Sequence, residues 1–108
     1  MAIIDLNEVT GQGTVHNLAG KPRGESARKH FQLDRLDRTD EAVIVRAPDY
    51  LTNVSSSYFL GLFSPSIERL GVDGFLSKYR FEAQPHILRA IQHGIERSTM
   101  SRSPLKVA

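Results

Sequence analysis

The sequence predicts an α/β domain: a small mixed β-sheet of about four strands with helices packed against it. Three observations carry this expectation. The β-branched run AVIV at residues 42–45, stopped by Pro48, reads as a central strand buried on both faces. The stretch at residues 53–71 follows, in which Tyr58, Phe59, Leu62, Phe63, Ile67 and Leu70 fall mostly three and four apart and form one apolar helical stripe. Finally, 108 residues with 40% apolar content suffice for one continuous core but not for two.

Taken in order, Ile3, Ile4 and Leu6 make a short apolar run. The Gly11 and Gly13 pair supplies a turn before Val15 and His16, and the two segments together suggest an opening β-hairpin. Residues 17–24, NLAGKPRG, carry loop chemistry, and a helix is expected to begin near residues 23–25. That helix has an untidy stripe, with Ala27, His30 and Phe31 on one face, and should loosen near Asp34. Pro65 predicts a kink or restart in the long helix, because an interior proline costs about 3 kcal/mol. Gly71 then suits a helix end, and residues 72–84 read as a turn followed by a short strand near residues 79–81. Pro85 opens a last helix with Ile87, Leu88, Ile91 and Ile95 on its packing side; His86, Arg89, Gln92 and His93 take the rest of its circumference, with packing as its role. The domain is expected to span residues 1–97, with a flexible tail over residues 98–108.

Composition narrows the function classes. No apolar run approaches the roughly 18 residues of a membrane span, and the N-terminus lacks the pattern of a signal, so a cytoplasmic protein without membrane contact is expected. The absence of cysteine removes disulfides, thiolate zinc sites and thiol catalysis. Fourteen basic and twelve acidic residues leave a formal charge of +2, which gives nucleic acid little support. The basic residues Lys21, Arg23, Arg28 and Lys29 nevertheless define an alternative, a small nucleic-acid-associated module.

The functional expectation centres on Asn53, Ser55, Ser56, Ser57 and Tyr58, where a buried strand hands over to a helix. Short hydroxyl side chains there meet unpaired helix N–H groups at the edge of a sheet, and one of the serines should cap the helix. This junction is the expected partner-binding surface. Serine at a helix N-terminus also suits a phosphate switch, since a phosphate gains from the helix dipole and from free N–H groups.

The residues VIVRAPDYLTNVSSSYFLGLF, with LGVDGFLSKYRFEAQPHILRAI after them, resemble the STAS-like domain family of unknown function, related to the anti-sigma-factor antagonists known as STAS proteins. The resemblance covers residues 3–95. It implies a STAS-like fold and a non-enzymatic regulatory module. The partner it implies is a histidine-kinase-like ATPase, which phosphorylates a serine at the start of the helix after the central strand. The Asp-Ser-Ser-Gly motif of the antagonists falls on Ser55, Ser56, Ser57 and Tyr58, which implies Ser57 as the phosphorylation position. Two of those four positions match; Ser55 replaces the aspartate, Tyr58 replaces the glycine, and Arg46 stands where the central strand often carries an acidic residue.

Other motifs are weaker. The GTVHNLAGKPR stretch is not a phosphate loop, because six residues separate Gly13 from Gly20 and Pro22 stands where Ser or Thr would hold magnesium. His16, His30, His86 and His93 show no metal-ligand spacing, so no metal and no cofactor are expected. A serine hydrolase built on Ser57 would have to recruit His16 or His30 through the fold, and the chain has no Gly-x-Ser-x-Gly elbow.

Overall fold

A computed structural model describes residues 1–100 of the chain except 12 and 14. The elements run β1 (Ala2–Asp5), a 3₁₀ turn (Leu6–Val9), β2 (Asn17–Leu18), α1 (Lys21–Phe31), α2 (Leu33–Leu36), β3 (Val43–Arg46), β4 (Asn53–Val54), α3 (Ser56–Lys78), β5 (Tyr79–Glu82) and α4 (Pro85–Met100). The fold is α/β, as expected, but its strands divide differently. β1, β3 and β5 form a three-stranded parallel sheet with β3 at its centre, while β2 and β4 form a separate two-stranded parallel ladder.

The expected opening hairpin is therefore absent among the described residues. Asp5 caps a 3₁₀ turn by accepting the Asn7 N–H at 3.0 Å, which carries the chain away from β1 instead of back along it. Gly11 and Gly13 do adopt positive φ, at 63° and 98°, but the turn they make feeds a different ladder. The central strand is also not buried on both faces. Val43 and Val45 point into the core with Ile4 and Tyr79, while Arg46, Arg80, Glu82 and the half-exposed Ile3 occupy the opposite face. The helices pack on one side of the sheet only, which gives two layers.

α3 is the spine. Phe59, Phe63 and Ile67 of its stripe are at most 2% exposed, and Phe59 and Phe63 join Phe75 and Tyr79 in one aromatic cluster, with Phe63 and Phe75 centroids 5.3 Å apart and edge-on. α1 begins at Lys21, earlier than expected, because Pro22 sits in the first turn, where its missing N–H is no loss. Gly24 lies inside α1, not in a loop, and the crossing with α3 explains it. A Cβ on Gly24 would stand 2.1 Å from the Tyr58 carbonyl oxygen, and one on Gly61 would stand 2.2 Å from that of Lys21. Only glycine on both helices lets the backbones touch.

The loosening expected near Asp34 falls at Gln32, whose left-handed backbone (φ 55°) separates α1 from α2. At Pro65 the helix does not restart: the backbone stays helical through the proline. The Arg28 guanidinium donates to the Leu62 carbonyl at 2.9 Å and to Ser66 Oγ at 2.8 Å, a pair of contacts that straddles the proline and holds the helix across it. The interruption comes instead at Gly71 (φ 76°, ψ 165°), and residues 72–78 resume as helix where a turn was expected, because Val72 and the buried Phe75 continue the apolar spacing. α4 extends to Met100, into the stretch expected to be tail; residues 101–108 of that tail lie outside the described residues.

Arg28 also anchors a buried polar cluster. Its Nη2 donates to Asp34 at 2.7 Å and to Asp37 at 2.9 Å, Ser66 Oγ donates to Asp37 at 2.7 Å, and the Tyr79 hydroxyl donates to Asp37 at 2.5 Å. Burial, reinforced by that bond to Asp37, pushes the Tyr79 hydroxyl well above its ordinary pKa, so it stays a donor. One guanidinium thus ties α1 and α2 to α3, and through Asp37 to β5.

Candidate functional site

The serine junction is set in place by the short ladder. Thr52 N–H donates to the His16 carbonyl at 2.7 Å, Asn53 and Val54 pair with Asn17 and Leu18, and Ser55 N–H donates to the Leu18 carbonyl at 2.8 Å. Val54 is buried, which fixes the register, and Asn53 is exposed. The chain then turns into α3 with Ser55 as N-cap: its backbone is extended (φ −68°, ψ 156°) and its Oγ accepts the Tyr58 N–H at 3.1 Å.

Ser55, Ser56 and Ser57 are each half-buried, and they face different neighbours. Ser57 Oγ lies 3.2 Å from Ser55 Oγ. Ser56 Oγ accepts a hydrogen bond from Arg97 Nη1 at 2.8 Å, which brings the far end of α4 onto the junction. The N–H groups of Ser56 and Ser57 have no acceptor among the described residues, as the first turn of a helix dictates.

Between this helix start and α4 lies an open cleft of about 390 Å³, bordered by Asn53, Ser55, Ser56, His86, Arg89 and His93. None of its lining residues is acidic. The polar side of α4, expected only to be a solvated face, is thereby turned toward the serines. The spacing of His86, Arg89 and His93 on one helical face was the available signal, but which element that face would meet is a tertiary fact. His86 Nε2 is 3.1 Å from the Leu51 carbonyl oxygen, which ties the start of α4 to the loop before β4.

Tyr58 does not belong to the contact surface expected of it. It is 2% exposed, because at the first turn of α3 its ring faces α1 and the core. Burial pushes its hydroxyl up to about 12, with the nearby Arg23 charge pulling the other way. The basic alternative loses a member too: Arg28 is 8% exposed and its guanidinium is consumed by Asp34, Asp37, Ser66 and Leu62, so only Lys21, Arg23 and Lys29 of that set reach solvent.

The histidines expected as recruits for Ser57 are engaged elsewhere, His16 with the Gly13 carbonyl at 2.9 Å and His30 with Glu8 at 2.9 Å. Among the described residues no three His, Asp or Glu side chains gather as metal ligands, and no helix is long and apolar enough to cross a membrane. Comparison of the chain with family models, with curated proteins and with solved structures returned no match.

Proposed function

We propose that the protein is a STAS-like, non-enzymatic regulatory module that binds a protein partner through Asn53, Ser55, Ser56 and Ser57. The observation that carries this reading is the pair of unpaired N–H groups at Ser56 and Ser57, which open beside a cleft bordered by Arg89, His86 and His93. Such a surface favours an anionic group, whether a phosphate on the junction itself or an acidic side chain of the partner. Its shallowness suits a macromolecular contact better than an enclosed reaction chamber. The order of central strand, polar junction and amphipathic helix supports the STAS-like comparison, and with it a histidine-kinase-like ATPase as the partner and Ser57 as the phosphorylation position.

Incubation with the ATPase and ATP, read by intact mass, tests the modification: one added phosphate, lost in Ser57→Ala, is the expected result. Ser57→Asp should shift partner affinity by about 1 to 3 kcal/mol, the usual size of a switch coupling. Ser55→Asp is the control, since aspartate caps a helix as well as serine does. Absence of phosphate with binding retained would leave a plain binding module, and native affinity after a bulky substitution at Asn53 would move the surface elsewhere.

A further inference from the structure

On the other side of the α3 start lies a second cavity, of about 380 Å³, lined by Val9, Val15 and residues of β2 and α1. Its size falls at the low end of small-molecule sites, which run from roughly 300 to 1,000 Å³. Val9, Leu18 and Ala27 give it an apolar wall, and Arg23 and Ser26, three residues apart, stand on the α1 face that borders it.

The residue that marks it as a site is Tyr58. Its side chain is 98% removed from solvent, yet its hydroxyl has no hydrogen-bond partner among the described residues. No fully enclosed side-chain nitrogen or oxygen among them lacks a partner, so this hydroxyl must open onto the cavity it lines. The hydroxyl thus faces the cavity as a donor that no other described side chain has taken up, ready for an acceptor on a ligand.

Charge then selects the ligand. His30, at the rim, is matched by Glu8 at 2.9 Å. Arg23 has no carboxylate or other acceptor among the described residues, which leaves one unmet positive charge beside two neutral donors and an apolar wall. A phosphate would bring nearly two charges to a single cation. We infer that the cavity binds a small monocarboxylate with an apolar tail, its carboxylate spanning the Arg23 guanidinium and the Tyr58 hydroxyl and its tail lying on Val9, Leu18 and Ala27. The hydroxyl carries its proton at neutral pH, as a phenol does, so it donates, and it lies near enough to Arg23 to feel that charge. This inference stands apart from the role of the serine junction.

The test is a titration of the full, isotopically labelled chain with octanoate, followed by amide chemical shifts, with octanol and inorganic phosphate as comparators. Saturable shifts at Leu18, Ser26 and Ala27 are expected, with octanol and phosphate much weaker. Arg23→Gln and Tyr58→Phe should each weaken octanoate at least about tenfold, the loss of one charge-assisted hydrogen bond. Because Arg23 is exposed, its variant keeps the fold and decides the matter even where Tyr58→Phe does not. Absence of saturation, octanol or phosphate binding as well as octanoate, or undiminished affinity in Arg23→Gln would each overturn the assignment.

Discussion

Replacing Arg28 with methionine probes the buried cluster and the continuity of α3 together. The Arg28 side chain is 9% exposed and that of Asp37 is fully buried, so the substitution leaves a carboxylate in the core without its counter-ion. Breaking a buried pair by removing one partner costs about 3 to 5 kcal/mol. Asp37 keeps the Ser66 and Tyr79 hydroxyls as donors, which puts the expected loss at the low end, about 3 kcal/mol. That is a large share of a total stability of about 5 to 15 kcal/mol. With a urea dependence of about 1 to 3 kcal/mol per molar, the unfolding midpoint should fall by about 1 to 3 M. Asp34→Asn serves as the comparison, because the Asp34 side chain is 77% exposed and its arm of the cluster contributes at most about 1 kcal/mol. The double variant Arg28→Met with Asp37→Leu removes both charges, so it should lose less than the sum of the two single changes. Equal midpoints for Arg28→Met and Asp34→Asn, or strict additivity in the double variant, would refute the reasoning.

Gly61→Ala should destabilise by about 1 to 3 kcal/mol despite alanine's better helix propensity, because its Cβ would meet the Lys21 carbonyl oxygen at 2.2 Å and the Glu25 nitrogen at 2.9 Å; a raised thermal midpoint would contradict the close crossing. Phe63→Ala should cost about 3 to 5 kcal/mol in denaturant titration, since the ring meets Phe59, Phe75, Tyr79 and Phe81; an unchanged midpoint would deny it a place in the core. The raised pKa of Tyr58 means that the folded state holds its proton more tightly than the unfolded chain, so this contribution is complete below pH 10.0 and is lost as pH rises toward about 12. Tyr58→Phe should accordingly flatten the alkaline fall of the denaturant midpoint. Asp34 acts with the opposite sign: the Arg28 hydrogen bond holds its carboxyl below the ordinary 3.8, so its small contribution fades as pH drops through that range, and Asp34→Asn should flatten the acid limb.

Local pattern made the main elements legible. The apolar stripe of α3, the burial of Phe59 and Phe63, the central place of β3, the short strand after residue 78 and the capping serine all follow from spacing and residue type. What escaped were facts of tertiary origin. Pairing partners cannot be read from a two-residue strand such as Asn17–Leu18, so glycines in a turn suggested a hairpin where the chain makes parallel ladders. Gly24 looks like a loop residue until Gly61 is set against it. Arg28 looks like one cation of a solvated face, and nothing local says that its guanidinium binds Leu62 and Ser66 on either side of Pro65 and pairs with Asp37. At the candidate site, type and position alone required one of the serines to cap the helix, though not which; the structure assigns Ser55. The inward turn of Tyr58 and the approach of His86, Arg89, His93 and Arg97 depend on where α1 and α4 dock.

The way α3 is held bears on the proposal that its first turn, more than its body, serves recognition. Along the body the constraints are steric and redundant. Gly61 and Gly24 fix the distance to α1, Arg28 clamps the turns on either side of Pro65, and a Cβ on Gly94 of α4 would stand 2.5 Å from the Phe59 ring, so no part can shift without the others. At the first turn the polar restraints are few and exchangeable: the Ser55 cap, the two-residue ladder with its flanking backbone bonds, and the bond from Arg97 to Ser56. Each is a hydrogen bond worth about 1 kcal/mol net, and each can be traded for a bond to an incoming oxygen. On the proposed reading, an anion at Ser56 and Ser57 would take up N–H groups and draw Arg97 from Ser56 onto itself without disturbing the packed length of the helix. A partner that reads this turn would read a local rearrangement carried on a scaffold that does not move, which is the arrangement a binding surface on a small domain requires.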